Sequence, residues 1–196
     1  MKENESKLFK SELQKLLDNT AKLRKKQVFE ELNRGIESYR RNSENLKMLL
    51  ILRTHVKSVK EFSLLQMAIF LWLFEGVYVN RLNEICLLLV ENEHDLYNPL
   101  KQKYVSSMKE IKYTDLFSKP KFLESHKFKM LIRIKDQMLR NKIAHNDFEL
   151  NEEGVILISG KTLDLPSKIL DLQNFLIEIT DITAECLEKT VDQLRQ

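Results

Sequence analysis

Arg140-Asn141-Lys142-Ile143-Ala144-His145 puts an arginine and a histidine at the two ends of a six-residue run, with an asparagine directly after the arginine. Arginine carries a permanent planar cation whose N–H fork matches phosphate oxygens, and histidine exchanges a proton near neutral pH. Together they suit cleavage of a phosphodiester without a metal. Asn141 lies one helical turn before His145, close enough to hydrogen-bond the imidazole or a phosphate and hold its orientation. Arg140, His145 and Asn141 are the candidate catalytic residues, and no metal or other cofactor is expected.

Spacing limits that chemistry. On an ideal helix five residues turn through about 500°, so Arg140 and His145 point roughly 140° apart. They converge if the last helical turn loosens, or if two subunits each supply part of the site. A purely structural reading competes. Asp136 precedes Arg140 by four residues, the favourable order for an exposed helix ion pair worth about 0.3–0.5 kcal/mol. A histidine in the last turn also suits the helix dipole.

The elements that must position this run are mostly helical. Four glycines and three prolines in 196 residues leave few breakers, and 43% hydrophobic residues are enough for a buried core. The expectation is one helical domain over residues 1–196, a bundle with long central helices. A polar helix over about residues 1–35 is predicted from Leu8, Phe9, Leu13, Leu16 and Leu17, continued by Leu23, Val28, Phe29 and Leu32. Gly35 or Asn42-Ser43 is the expected interruption. Leu46 to Val59 reads as a further helix, and Glu61 to Leu96 as the central core helix, ending ahead of Pro99.

Within that central helix, residues 62–79 approach the length that spans a bilayer. Gln66 and Glu75 lie inside it, and a carboxylate at mid-membrane costs about 2–3 kcal/mol or more, so a buried core helix and no membrane partner are expected. Glu75 needs a partner if buried, and Arg140 or Lys142 is the candidate. Glu75 and Asp136 are thus the supporting acids, with exposure at the helix surface as the alternative for Glu75.

Residues 101–121 form a basic insertion in which six lysines face Glu110 and Asp115, with Tyr104, Tyr113 and Phe117 between them. Aromatics interleaved with lysines can stack bases and pair with phosphates, which makes Lys101, Lys103, Lys109 and Lys112, with Lys142, the RNA-binding candidates. The competing expectation is a loop with short helical turns whose aromatics anchor it to the core. Lys121 to Ala144 then reads as one helix. Phe148-Glu149-Leu150, the turn-like Asn151-Glu152-Glu153-Gly154, and Val155 to Ile158 read as a small β-hairpin near residues 148–159 that must lean on helices. Asp164-Leu165-Pro166-Ser167 opens the last helix, striped by Leu172, Phe175, Ile179, Ile182 and Cys186, with Leu176, Thr183, Leu187, Val191 and Leu194 broadening the stripe.

Charge is unevenly spread. From Asp147 to Gln196 eleven acids meet four bases, a net of −7, which leaves +10 on the remainder of a chain whose total is +3. A basic body is compatible with a polyanionic partner, and the acidic tail can fold back on it, meet a second subunit, or simply be solvated. Cys86 and Cys186 fit neither a disulfide framework nor a zinc site, and the first residues lack the apolar core of a signal peptide, so a cytoplasmic location is expected. His55, His94 and His126 have no metal or triad spacing, and no phosphate-cradling glycine loop is present.

The run from Arg140 to His145 resembles the Arg-x4–6-His signature of the HEPN superfamily, small α-helical bundles that are frequently dimeric. A polar residue directly after the arginine, here Asn141, is also usual there. The resemblance spans residues 20–195 in outline, while six residues carry the motif. It implies metal-independent endoribonuclease activity in a toxin or antiviral defence effector, with RNA as partner and a homodimer joining two motifs in a composite site. His145 would act as general base or acid toward a ribose 2′-hydroxyl, and Arg140 would stabilise charge on the phosphorus oxygens. A nuclease of that kind calls for restraint, and an inhibitory partner protein is the implied means. HEPN toxins paired with nucleotidyltransferase antitoxins carry a tyrosine two residues beyond the histidine. Asp147 stands there, so regulation by AMPylation has no residue to act on. A non-catalytic module that binds nucleic acid or protein is the alternative, since a fold can keep a motif without its activity.

Overall fold

The structure is a computed structural model, and it describes residues 3–23 and 26–195. The fold is a mostly α helical bundle with small antiparallel β elements. Its long helices are α1 (Glu3–Lys22), α2 (Lys26–Leu52), α3 (Val59–Trp72), α4 (Val79–Glu91) and α8 (Leu165–Arg195). Shorter ones are α5 (Met108–Lys112), α6 (Ser118–Ser125) and α7 (Ile134–Ala144). The strands are β1 (Tyr97–Asn98), β2 (Lys103–Tyr104), β3 (Glu149–Leu150), β4 (Ile156–Ile158) and β5 (Lys161–Thr162). Contacts cluster in two compact units, residues 1–37, 80–132 and 178–196 in the first, and residues 38–79 and 133–177 in the second. Each unit is built from segments distant in sequence, so no single cut of the chain separates them.

In the first unit α1 buries Phe9, Leu13, Leu16 and Leu17, a stripe at helical spacing. Phe9 meets Phe128 edge to face, with ring centroids 5.8 Å apart. Every residue from Arg81 to Leu89 on α4 is buried, which makes this stretch the middle of that core. The acidic end of α8 lies along α1, with Ser6 donating to Glu178 at 2.6 Å and Lys10 paired to Glu185. Part of the acidic tail therefore folds back onto a helix of balanced charge, where it meets Lys10. Cys86 and Cys186 are free and buried, and burial pushes the Cys86 thiol up to about 12.

In the second unit α3 starts from a capping box. Ser58 Oγ accepts from Glu61 N at 3.2 Å, and a Glu61 carboxylate oxygen accepts from Ser58 N at 3.2 Å. The helix then widens into a π-helical segment, Leu73–Tyr78, before α4 resumes the α spacing. Phe70, Phe74, Tyr78 and Phe175 form a column of ring contacts, and the Arg133 guanidinium sits 4.6 Å from the Phe175 ring centroid. Helix α7 packs on α3 and on the π-helical segment. The sheet β3-β4-β5 pairs Leu150 with Ile156 and Ile158 with Lys161. It leans on α3 as the sequence requires, with Ser63 Oγ donating to Gly154 O at 2.5 Å and Lys60 2.7 Å from Glu152.

Several sequence expectations shift. The polar stretch 1–35 is two helices, with α1 ending at Lys22 and α2 beginning at Lys26. Helix α2 runs unbroken through Gly35 and Asn42-Ser43 to Leu52, so residues from Leu46 belong to it, and a short 3-10 turn, Arg53–His55, separates it from α3. Good helix formers on both sides carry the chain through one glycine, whose cost is about 1 kcal/mol. The side chains of Leu46, Leu49, Leu50 and Leu194, counted toward the apolar stripes, lie outside the described residues. The stretch from Lys121 to Ala144 is also not one helix. Helix α6 stops at Ser125, with Lys127 left-handed at φ 69° and Phe128 N donating back to Leu123 O at 2.8 Å. Burial of Phe128 and Leu131 pulls the chain off the helical path, and a lysine gives no warning of a left-handed turn. A third strand, β5, extends the hairpin. Its signal was Ser159-Gly160, both at positive φ as a two-residue I′ turn requires. The helix from Val59 to Glu91 is long and apolar enough to cross a membrane by composition, yet 44% of its most apolar window is buried in the protein.

Candidate functional site at the end of helix α7

Helix α7 ends by a fully local mechanism. His145 is the capping residue, its N–H donating to Asn141 O at 3.0 Å. Asn146 turns left-handed at φ 56°, a conformation asparagine tolerates well. Asn146 N then reaches Ile143 O at 3.1 Å and Asp147 N reaches Lys142 O at 2.8 Å, the paired bonds of a Schellman ending. The last turn is therefore regular. The loosening that would swing His145 toward Arg140 does not occur, because these bonds satisfy the terminal carbonyls only if the turn stays helical.

Arg140 is held from two sides. Its Nε pairs with Glu75 Oε1, and its Nη1 donates to Asn141 Oδ1 at 2.9 Å. The Arg140 side chain is 26% exposed and that of Glu75 40%, so this is a part-buried pair with a face toward water. Glu75 stands on the π-helical segment, whose wider turn sets the side chains of Leu73–Tyr78 off the register of the flanking α-helices. Such segments occur often at functional sites. Of the two expected partners for Glu75, Arg140 is the observed one, while Lys142 lies 3.0 Å from both Asp147 Oδ2 and Ser159 Oγ.

The expected pair of Asp136 with Arg140 is absent. Asp136 is buried and bonds Arg133, which also bonds Asp171. The reason is helical phase: Asp136 shares the inward side of α7 with Leu139 and Ile143, and Arg133 reaches it from the helix start. Sequence reasoning passed over the Arg133 cluster, although Arg133 precedes Asp136 by three residues, a readable spacing. Tyr78 completes it, its hydroxyl accepting from Arg133 N at 3.3 Å.

Asn141 and His145 are both exposed and share one face of α7. Among the described residues the His145 imidazole makes no hydrogen bond, ion pair or ring contact, and none joins it to Arg140. Ile134 and Met138, 60% and 59% exposed, continue the same face toward the helix start, since residues 134, 138, 141 and 145 fall within about 60° on a helical wheel. Leu170, beside the Asp171 that Arg133 bonds, is exposed as well. The structure thus gathers Arg140, Asn141 and Glu75 in one hydrogen-bonded group, sets His145 beside Asn141, and assigns Asp136 to a separate one. Lys101, Lys103, Lys109 and Lys112 belong to the other unit.

No protein-family model, curated protein or solved structure matches this chain. The geometry of α7 and its neighbours is what bears on function.

Proposed function

We propose that the protein is a metal-independent endoribonuclease of HEPN type, a cytoplasmic homodimer acting as a toxin or antiviral defence effector under the restraint of a partner protein. The observation that carries this reading is the arginine whose guanidinium is oriented by Glu75 and Asn141, with an exposed, unengaged histidine one turn beyond that asparagine. His145 takes the proton of a ribose 2′-hydroxyl as its oxygen attacks the adjacent phosphorus. The bond from phosphorus to the 5′ oxygen breaks, a second, protonated imidazole gives its proton to that oxygen, and the products are a 2′,3′-cyclic phosphate and a 5′-hydroxyl. The Nη2 edge of Arg140, which has no protein acceptor among the described residues, faces the charge gathering on the phosphoryl oxygens. Because Arg140 and His145 point apart on a regular helix, the second imidazole comes from a second copy, whose α7 meets the exposed Ile134 and Met138.

One observation favours a second reading. Glu75 already neutralises Arg140, and a neutralised arginine serves a non-catalytic module that binds nucleic acid or protein as well as it serves an enzyme. The two separate in one experiment. Labelled RNA incubated with purified protein in EDTA should yield cyclic-phosphate ends, and His145→Ala and Arg140→Ala should each lower the rate about 100-fold or more. Cleavage that survives His145→Ala sinks the mechanism, and binding without cleavage selects the module.

A further inference from the structure

The basic insertion does not bury its rings. Tyr104, Tyr113 and Phe117 are 62%, 63% and 66% exposed, and Tyr97 is 45% exposed, so the reading in which aromatics anchor this stretch to the core is overturned. Other residues do the anchoring. Val105 and Ile111 are buried apolar contacts, and the buried Asn98 donates to Thr114 Oγ1 at 3.2 Å while its Oδ1 accepts from the Leu100 and Lys101 backbone. The insertion therefore holds its shape with small aliphatic and polar groups, and four rings stay in water at a cost burial would have removed.

The rings are arranged. Tyr97 and Tyr104 face each other across β1 and β2, centroids 5.4 Å apart and nearly perpendicular. Lys101 Nζ lies 5.2 Å from the Tyr113 ring centroid, and Lys121 Nζ lies 4.2 Å from that of Phe117. Each of these two rings has a cation over it. The two acids of the stretch are committed within it. Glu110 pairs with Lys103 and accepts from Ser106, contacts that bring its carboxyl down to about 2. Asp115 accepts from Phe117 N and Ser118 N, both at 2.8 Å, which holds Phe117 outward. Lys101, Lys109, Lys112 and Lys121 remain as exposed cations on this surface.

We propose that the β1–β2 hairpin, α5 and the turn into α6 form a binding surface for single-stranded nucleic acid, with bases stacking on Tyr104, Tyr113 and Phe117 and phosphates meeting Lys101, Lys109, Lys112 and Lys121. An exposed ring stacks on any base whose face is open, which excludes a paired duplex, and neighbouring ammonium groups match the phosphate spaced one nucleotide along. A protein partner would be served by apolar side chains in one patch. Here Leu100 is the exposed aliphatic neighbour, and lysines outnumber it. The proposal does not rest on cleavage at Arg140 and His145, which belong to the other unit.

Fluorescence anisotropy with the His145→Ala protein tests it, using fluorescein-labelled 12-mers of uridine and of thymidine and a duplex of the same length. Single strands should bind at least tenfold more tightly than duplex. Tyr113→Ala with Phe117→Ala should weaken single-strand binding about tenfold or more with an unchanged circular dichroism spectrum, while Tyr113→Phe should retain it, because the ring and not the hydroxyl stacks. Lys109→Gln with Lys112→Gln should lower the slope of log affinity against log salt by about 1–2. Duplex binding equal to single-strand binding, or affinity indifferent to loss of the rings, overturns the proposal. So does a ring double variant that changes the particle mass in light scattering and leaves oligonucleotide binding intact, which marks a protein contact. Binding that persists in a protein shown not to cleave RNA supports this surface and removes the nuclease reading alone.

Discussion

At the scale of single residues, two carboxylates inside apolar helices meet their cost differently. Glu75 reaches water on one side and Arg140 on the other, and the need for such a partner was legible because a carboxylate cannot sit unpaired in an apolar helix. Glu84 is fully enclosed, 2.6 Å from the equally buried Arg81, whose Nη2 donates to Gly35 O at 2.6 Å. Burial raises its carboxyl to about 7 despite the attraction of Arg81, with Glu31 adding to the rise and Lys112 opposing it. Below about pH 4.5 the group is protonated folded and unfolded alike. Between there and about 7 only the unfolded chain releases the proton, so this group's contribution to stability is lost as pH rises through that window. His94 acts in the opposite sense, since burial and the nearby His126 lower its affinity for a proton. The difference between wild type and Glu84→Gln isolates the first effect. Urea unfolding at pH 5 and pH 7.5 should show wild type losing on the order of 1–3 kcal/mol relative to the variant. An unchanged difference would mean the carboxyl is ionised throughout.

At the scale of elements, the stripes of α1 and α8, the start of α8 at Asp164 and the turn at Gly154 follow from local pattern. Ser167 N donates to Asp164 Oδ1 at 3.2 Å, as a capping acid before Pro166 suggests. The π-helical segment has no such signature. It lies where the rings of Phe70, Phe74 and Tyr78 meet one another and Phe175, a set of contacts assembled from two helices. Two glycines show how element context sets the sign of one substitution. Gly154 has φ 76°, and a Cβ there would stand 2.5 Å from Val59 Cγ1 and 2.9 Å from the Val59 backbone carbonyl carbon. Gly76 lies in the helical path, where a Cβ meets Trp72 at 3.8 Å. Gly154→Ala should cost about 2 kcal/mol or more, from the left-handed backbone and the overlap together, and Gly76→Ala should add about 0.5–1 kcal/mol by removing glycine's freedom in the unfolded chain. Thermal melts give both signs, and a stabilising Gly154→Ala would show that the turn can move off α3.

At the scale of the whole molecule, the opposed charges of body and tail are partly spent internally, through Lys10 with Glu185 and Arg133 with Asp171. The exposed face carrying Ile134, Met138, Asn141 and His145 is the surface on which the proposed dimer depends. Met138→Glu places a charge in the middle of that face, at a side chain 59% exposed. Light scattering should show a dimer for wild type and a monomer for Met138→Glu at equal helicity, with RNA cleavage falling in parallel. A wild-type monomer that cleaves RNA would remove the composite site.

The sequence by itself determined the helical content, the positions of the apolar stripes, the hairpin after residue 147 and the end of α7 at His145. These depend on residues one to five positions apart, where periodicity, caps and turn residues act directly. The break at Lys127 and the outward aromatics of the insertion were decided only by packing. So was the union of Glu75 with Arg140, 65 positions apart, in place of the Asp136 pair that spacing favours. Sequence spacing says which neighbours can meet along a helix, while burial on the far side of that helix decides which side chains are left facing the right way to do so.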